Sequence, residues 1–216
     1  MSDENTKITK KYYDYVSVGN RTKQVTYFVQ QHDKNRIFLE LLKTLSNKQI
    51  LVLVNSKRSA DRLEEELASK DIKSIAIHGN HRASQLQMAE SSFISKETQI
   101  LITTDRILDK LSLTDVHVVV SYDLPLEVSD YFKRLNLVDE IGESISLINT
   151  EDEKRLATIE LMMKCEMVEE KIDNFEHTTI LSTIKKDKTK KPRHKKVQQR
   201  AKRKAEIEWA LPRIMG

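Results

Sequence analysis

The sequence predicts an α/β domain built as a doubly wound, three-layer parallel sheet. Two observations carry that expectation. Short runs that are apolar throughout, such as ILVLV (Ile50–Val54) and VHVVV (Val116–Val120), alternate with stretches whose apolar residues recur at helical spacing. Strands buried on both faces need helices above and below them, which right-handed crossovers between parallel strands supply. The length of 216 residues, with 38% hydrophobic and 32% charged residues, allows one full core with chain left for tails.

Taken in order, residues 1–22 are polar and unpatterned and are expected to form a flexible leader. QVTYFVQQ (Gln24–Gln31) alternates apolar and polar side chains, as a half-buried strand does. Ile37, Leu41 and Leu45 then mark one helix face over Asp33–Leu45. Ile50–Val54 is a strand, followed by a helix over Ser56–Ala68 with Ala60, Leu63 and Leu67 on one side. Ile72–Ile77 is the next strand, and a helix runs through Leu86, Met88 and Phe93. Gln99–Thr103 and Val116–Val120 are strands, Val128–Leu135 a short helix, Ser144–Ile148 a last strand and Glu151–Lys164 a closing helix. The folded domain is expected over 23–177, with a basic tail and a short apolar end over 178–216.

Composition excludes several classes. No apolar run reaches the roughly 18 residues a bilayer-spanning helix needs, so no membrane role is expected. MSDENTKITKK lacks an apolar signal core, and Cys165 is the only cysteine, so a disulfide framework or thiolate zinc site has no support. These features point to the cytoplasm. Charge is divided sharply: residues 1–184 hold 24 Lys/Arg against 30 Asp/Glu, whereas 185–216 hold 13 against 3. KKDKTKKPRHKKVQQRAKRK (185–204) cannot bury enough to fold alone and is expected to be disordered or partly helical.

Five segments carry a family resemblance in order and spacing: VLVNSKRSADRL (Val52–Leu63), SIAIHGN (Ser74–Asn80), QILITTD (Gln99–Asp105), VVVSYDLP (Val118–Pro125) and DYFKRL (Asp130–Leu135). Over about Gln24–Phe175 the chain resembles the C-terminal RecA-like domain of DEAD-box RNA helicases, closest to their RhlE-like bacterial branch. The resemblance implies a RecA-like fold and descent from a two-domain RNA motor. It also marks departures. None of Gly19, Gly79, Gly142 and Gly216 lies in a GxxxxGK[ST] phosphate loop, so the ATP-binding half is expected to be missing and no nucleotide cofactor is expected. Against the family's HRIGRTGR motif stands KRLNLVDE (Lys133–Glu140), in which Arg134 matches the first arginine and the two finger positions hold Leu137 and Glu140. A carboxylate where a cation should meet a triphosphate reverses the sign of the interaction. In TTDRILDKLSL (Thr103–Leu113), Thr104 and Asp105 match the family, but its Arg, Gly and Asp positions hold Asp109, Lys110 and Ser112. Its RNA-facing Gln and Arg align with Ala83 and Leu86.

Candidate site residues follow. Asn55, Lys57 and Arg58 sit just after a strand, either to contact RNA phosphate or as a solvated helix start with Asn55 or Ser56 as N-cap. Gly79, in His78-Gly79-Asn80, either lets a phosphate backbone approach or simply turns the chain. Thr104 and Asp105 either touch RNA or hold the following loop. Tyr122–Pro125 is read as structural. Lys133 and Arg134 keep positive charge at the former nucleotide face, or form a solvated helix edge. His78 and His81 lack further ligands at metal spacing, and Cys165 reads as core; no metal site is expected. In the tail, Lys190, Lys191, Arg193, Lys195, Lys196, Arg200, Lys202, Arg203 and Lys204 are candidate phosphate contacts, and Trp209 a candidate anchor for a protein partner. The expected function is a non-catalytic protein that binds structured RNA, ribosomal RNA among the candidates, mainly through this tail. Two alternatives stand: a protein–protein scaffold, with the ribosome or a helicase-associated complex as partner, and the C-terminal half of a split ATP-dependent RNA helicase.

Overall fold

A computed structural model describes residues 14–172, 175, 177 and 178. In chain order the elements are α1 (Tyr15–Arg21), β1 (Lys23–Phe28), a 3-10 turn (Gln31–Asp33), α2 (Lys34–Thr44), β2 (Ile50–Leu53), α3 (Lys57–Ala68), β3 (Ser74–Ala76) and α4 (Ala83–Ile94). They continue with β4 (Ile100–Thr103), α5 (Asp105–Leu108), β5 (Val116–Ser121), α6 (Val128–Leu135), β6 (Val138–Ile148), α7 (Glu153–Met163) and β7 (Val168–Glu169). The seven strands form one sheet in the order β3-β4-β2-β5-β6-β1-β7, and every neighbouring pair is parallel. The predicted α/β class is the observed one.

The period of two along each strand sorts the core onto the two faces. In β2, Ile50 and Val52 join Phe38, Leu41, Leu63 and Leu67 under α2 and α3. Leu51 and Leu53 point the other way, to Phe93, Leu101, Ile107 and Val119. A third cluster lies where Tyr131, Phe132 and Leu135 of α6 meet Leu156, Ile159 and Met163 of α7. With few glycines available, left-handed backbone at element ends falls on Asn47, Asp71, Lys96, Asp115 and Lys164.

Three differences from expectation have physical reasons. Residues 15–21, within the stretch read as an unpatterned leader, form α1: Asp14 caps it through the Val16 N–H, and Tyr15 stacks on Phe132 with ring centroids 4.0 Å apart. The stacking partner lies far along the chain, so the local cap at Asp14 is the one part of α1 that the sequence could announce. Second, β6 begins at Val138 rather than Ser144. Val116 pairs with Val138 and Val118 with Glu143, so part of 139–142 bulges from the ladder. A Cβ on Gly142 would stand 2.4 Å from the His117 carbonyl oxygen, so only glycine lets β5 and β6 run together there. Third, β7 adds a two-residue parallel edge beside β1 that was not anticipated. No helix among the described residues is long and apolar enough to cross a membrane. The tail over 185–216 and Trp209 lie outside the described residues.

Two buried charges tie elements together. Lys34, 1% exposed, donates to the Tyr122 carbonyl at 3.0 Å and to Asp123 at 3.2 Å, and lies 3.8 Å from Asp152, joining α2 to the end of β5 and the start of α7. Asp33 receives the Thr178 backbone N–H at 2.8 Å, its hydroxyl at 2.7 Å and Arg36 at 2.8 Å. Burial alone would raise the Asp33 carboxyl; the hydrogen bonds outweigh it and hold the group down to about 2. A folded carboxyl depressed below its unfolded value of about 3.9 gives stability that is complete above that pH and lost as pH falls toward the folded value. The contact of Thr178 with Asp33 is therefore expected to open between roughly pH 4 and pH 2. Amide exchange at Thr178 followed across that range checks this, and Asp33→Asn should abolish the dependence.

Candidate functional site

The carboxyl ends of β2 and β4 and the loops after β3 and β5 enclose a cleft of about 680 Å³. This is the edge where doubly wound sheets bind ligands. Asn55, Lys57, Gly79 and Thr104 all line it, as does Lys133. Arg58 is exposed on α3 but outside the lining.

Each lining residue is held by its element. Ser56, not Asn55, caps α3, accepting the Ser59 N–H at 3.1 Å. Asn55 is committed to the loop after β5: its N–H donates to Asp123 at 3.1 Å and its side-chain amide to the Leu124 carbonyl at 3.0 Å. Lys57 reaches Asn80 at 3.4 Å across the cleft. Gly79 has no neighbour that a Cβ would meet, so the turn leaves open space above its backbone. His78 beside it is buried, with Nε2 2.7 Å from Asp61 and its ring tilted against that of His81, centroids 4.3 Å apart. Thr104 leads into α5 without a side-chain cap bond.

The cleft floor corrects one expectation. The sequence leaves Lys133 and Arg134 as cations at the former nucleotide face or on a solvated helix edge, whereas Arg134 is fully buried. Its Nε and Nη2 each donate to Asp105 at 2.7 Å, and Nη1 donates to the Ser121 hydroxyl and the Asp123 carbonyl at 2.8 Å. A planar fork with that many partners is spent on structure. It pins the end of β4 to β5 and α6, with Asp105 as its carboxylate partner on the loop after β4. Lys133 stays in the cleft, 2.9 Å from Asp130 and 3.5 Å from Asp109; its ammonium is held above the usual lysine range chiefly by the Asp130 hydrogen bond.

Sequence reasoning missed Arg106, Lys110, Glu127 and Asp130, which also line the cleft. Only Arg106 stands close behind a strand end, three residues past β4; Lys110 and Glu127 lie farther along the loops and Asp130 on α6, where no local signal marks them. Together the lining holds four cations (Lys57, Arg106, Lys110, Lys133) and four carboxylates (Asp105, Asp109, Glu127, Asp130). With Asp105 already paired to the buried Arg134, the cleft carries only a small net positive charge, a weak field for drawing a polyanion. Leu137 and Glu140 lie elsewhere. Leu137 packs half-buried against the core beside the first residue of β5, and Glu140 is exposed on the β6 bulge.

Comparison with known proteins places this geometry. Residues 33–138 match the helicase conserved C-terminal domain family. The chain is similar to the DEAD-box ATP-dependent RNA helicase RhpA of Helicobacter pylori, 26% identical over 161 residues that make up 73% of this chain and 33% of RhpA. It thus spans about a third of the length of the curated relatives it matches. Among solved structures it is similar to a DEAD box protein from Methanococcus jannaschii, at 28% identity and TM-score 0.66 over 71% of this chain and 43% of that one. It also superposes on the chain of the Escherichia coli DEAD-box protein SrmB solved bound to regulator of ribonuclease activity A, at 19% identity and TM-score 0.66 over 73% of this chain and 98% of that solved chain. At that identity the second likeness shows the fold alone.

Proposed function

The chain carries a DEAD-box helicase C-terminal domain, and from that premise we propose that it is a non-catalytic, cytoplasmic RNA-binding protein whose affinity comes mainly from the basic tail. The observation that carries this reading is the fate of the finger positions. One is an apolar side chain packed into the core, Leu137, and the other a carboxylate, Glu140. Neither can neutralise a transferring phosphoryl group, and Arg134 is already engaged by Asp105. The small net charge of the cleft, against 13 Lys/Arg facing 3 carboxylates over residues 185–216, supports assigning phosphate attraction to the tail. In this reading Asn55, Lys57, Gly79 and Thr104 orient RNA that the tail has captured.

A second reading, the C-terminal half of an ATP-dependent RNA helicase, is favoured by the one-third coverage of the RhpA sequence. The two separate on nucleotide. Anisotropy titration of a structured RNA is expected to give one affinity with or without ATP and magnesium, and no RNA-stimulated phosphate release. Hydrolysis that appears when an ATP-binding domain is supplied in trans would establish the helicase-half reading instead.

A further inference from the structure

A second concavity, of about 580 Å³, lies at the opposite end of the sheet from the cleft. Ile50 and Ile100, the first residues of β2 and β4, form part of its floor, completed by Leu39, Leu42, Leu45 and Ile72. Leu39, Leu42 and Ile72 are only partly buried, so apolar surface is left facing the groove. Its rim is basic: Lys43, Lys48 and Lys70 stand against a single carboxylate, Glu40.

That rim runs against the charge of the body, which holds 24 Lys/Arg to 30 Asp/Glu over residues 1–184. The Lys43–Glu40 pair, at 2.8 Å, joins side chains that are 69% and 42% exposed, so it is easily exchanged for another partner. Lys48 reaches Glu143 at 3.1 Å, and Lys70 is exposed with no ion pair among the described residues. An apolar floor of this size is a poor seat for RNA, whose phosphates gain nothing from it. It suits a helix that lays apolar side chains at i, i+3, i+4 and i+7 into a groove.

We propose that this groove docks an acidic amphipathic helix of a partner protein, with Leu or Ile side chains on the floor and carboxylates against Lys43, Lys48 and Lys70. The groove and the cleft occupy opposite ends of the strands, so a helix seated in the groove leaves the cleft open. The probe is a fluorescein-labelled synthetic helix with Leu on one face and Glu on the other, titrated into the full chain, beside a peptide in which each Glu is Lys. The Glu peptide is expected to bind saturably and the Lys peptide not to. The double substitution Lys43→Glu with Lys70→Glu should weaken the Glu peptide by about tenfold and admit the Lys peptide, the signature of complementary rim charge. Should the reversed variant fail to fold by circular dichroism, Lys43→Gln with Lys70→Gln gives the same reading in a smaller step. Affinity unchanged by either pair would place binding elsewhere, the basic tail included, and overturn the proposal. So would equal binding of the two peptides, or no saturable binding.

Discussion

Arg134→Met is expected to lower folding stability by about 3–5 kcal/mol, the range seen when one partner of a buried ion pair is removed. Met matches the length of the lost side chain but none of its bonds. The substitution leaves the Asp105 carboxylate facing a hydrophobic group, and the Ser121 hydroxyl and Asp123 carbonyl without their donor. Arg134→Lys is expected to recover only part of the loss, because an ammonium on a flexible stem cannot engage both Asp105 oxygens and two acceptors on β5 and its exit at once. Adding Asp105→Leu to Arg134→Met should restore stability relative to the single variant, since the uncompensated charge is then gone. Urea unfolding of the four proteins measures all three effects. A loss under about 1 kcal/mol, as for an exposed pair, would mean that the guanidinium reaches solvent and that the cleft floor is assembled differently.

Arg134 also shows how far sequence reasoning reaches. Its identity and its place in a family-like motif were plain, but a cation beside Lys133 reads as solvated. A signal was available on the helix: Tyr131, three residues back, shares its face of α6, and Arg134 borders the stripe of Tyr131, Phe132 and Leu135, all fully buried. A charged residue set among them is a buried one in search of a partner, and the partner lies 29 residues away at the end of β4. The strands β2, β4 and β5 were legible because burial on both faces makes them apolar throughout. The early part of β6 was not, because Asp139, Glu140 and Ile141 only make sense as a bulge once β5 is beside them. Likewise α1, with the sequence YVSVGNR, takes its stability from contacts such as Gly19 against Met163 rather than from local propensity. At the candidate site, residues directly after strands were found. The balance of charge was not, since it exists only where four loops converge.

That balance sets up the largest functional effect. Changing Lys190, Lys191, Arg193, Lys195, Lys196, Arg200, Lys202, Arg203 and Lys204 to Gln in the full chain is expected to weaken RNA binding by about a hundredfold or more in 50 mM salt. Each phosphate contact releases condensed counterions, so a protein making six to ten such contacts loses roughly 10³–10⁵ in affinity between 50 and 200 mM salt. The native chain should show that steep dependence and the Gln variant a shallow one. Cleft substitutions act differently. Lys57→Gln removes one of four cations that already face four carboxylates, so it should change affinity by only about tenfold or less and leave the salt slope reduced by about one contact. Filter binding at a series of salt concentrations separates the two contributions by slope as well as by affinity. If the Gln variant kept both the affinity and the slope of the native chain, the phosphate contacts would have to come from the body. With 24 Lys/Arg against 30 Asp/Glu, they would then need a strongly basic surface that the cleft does not provide.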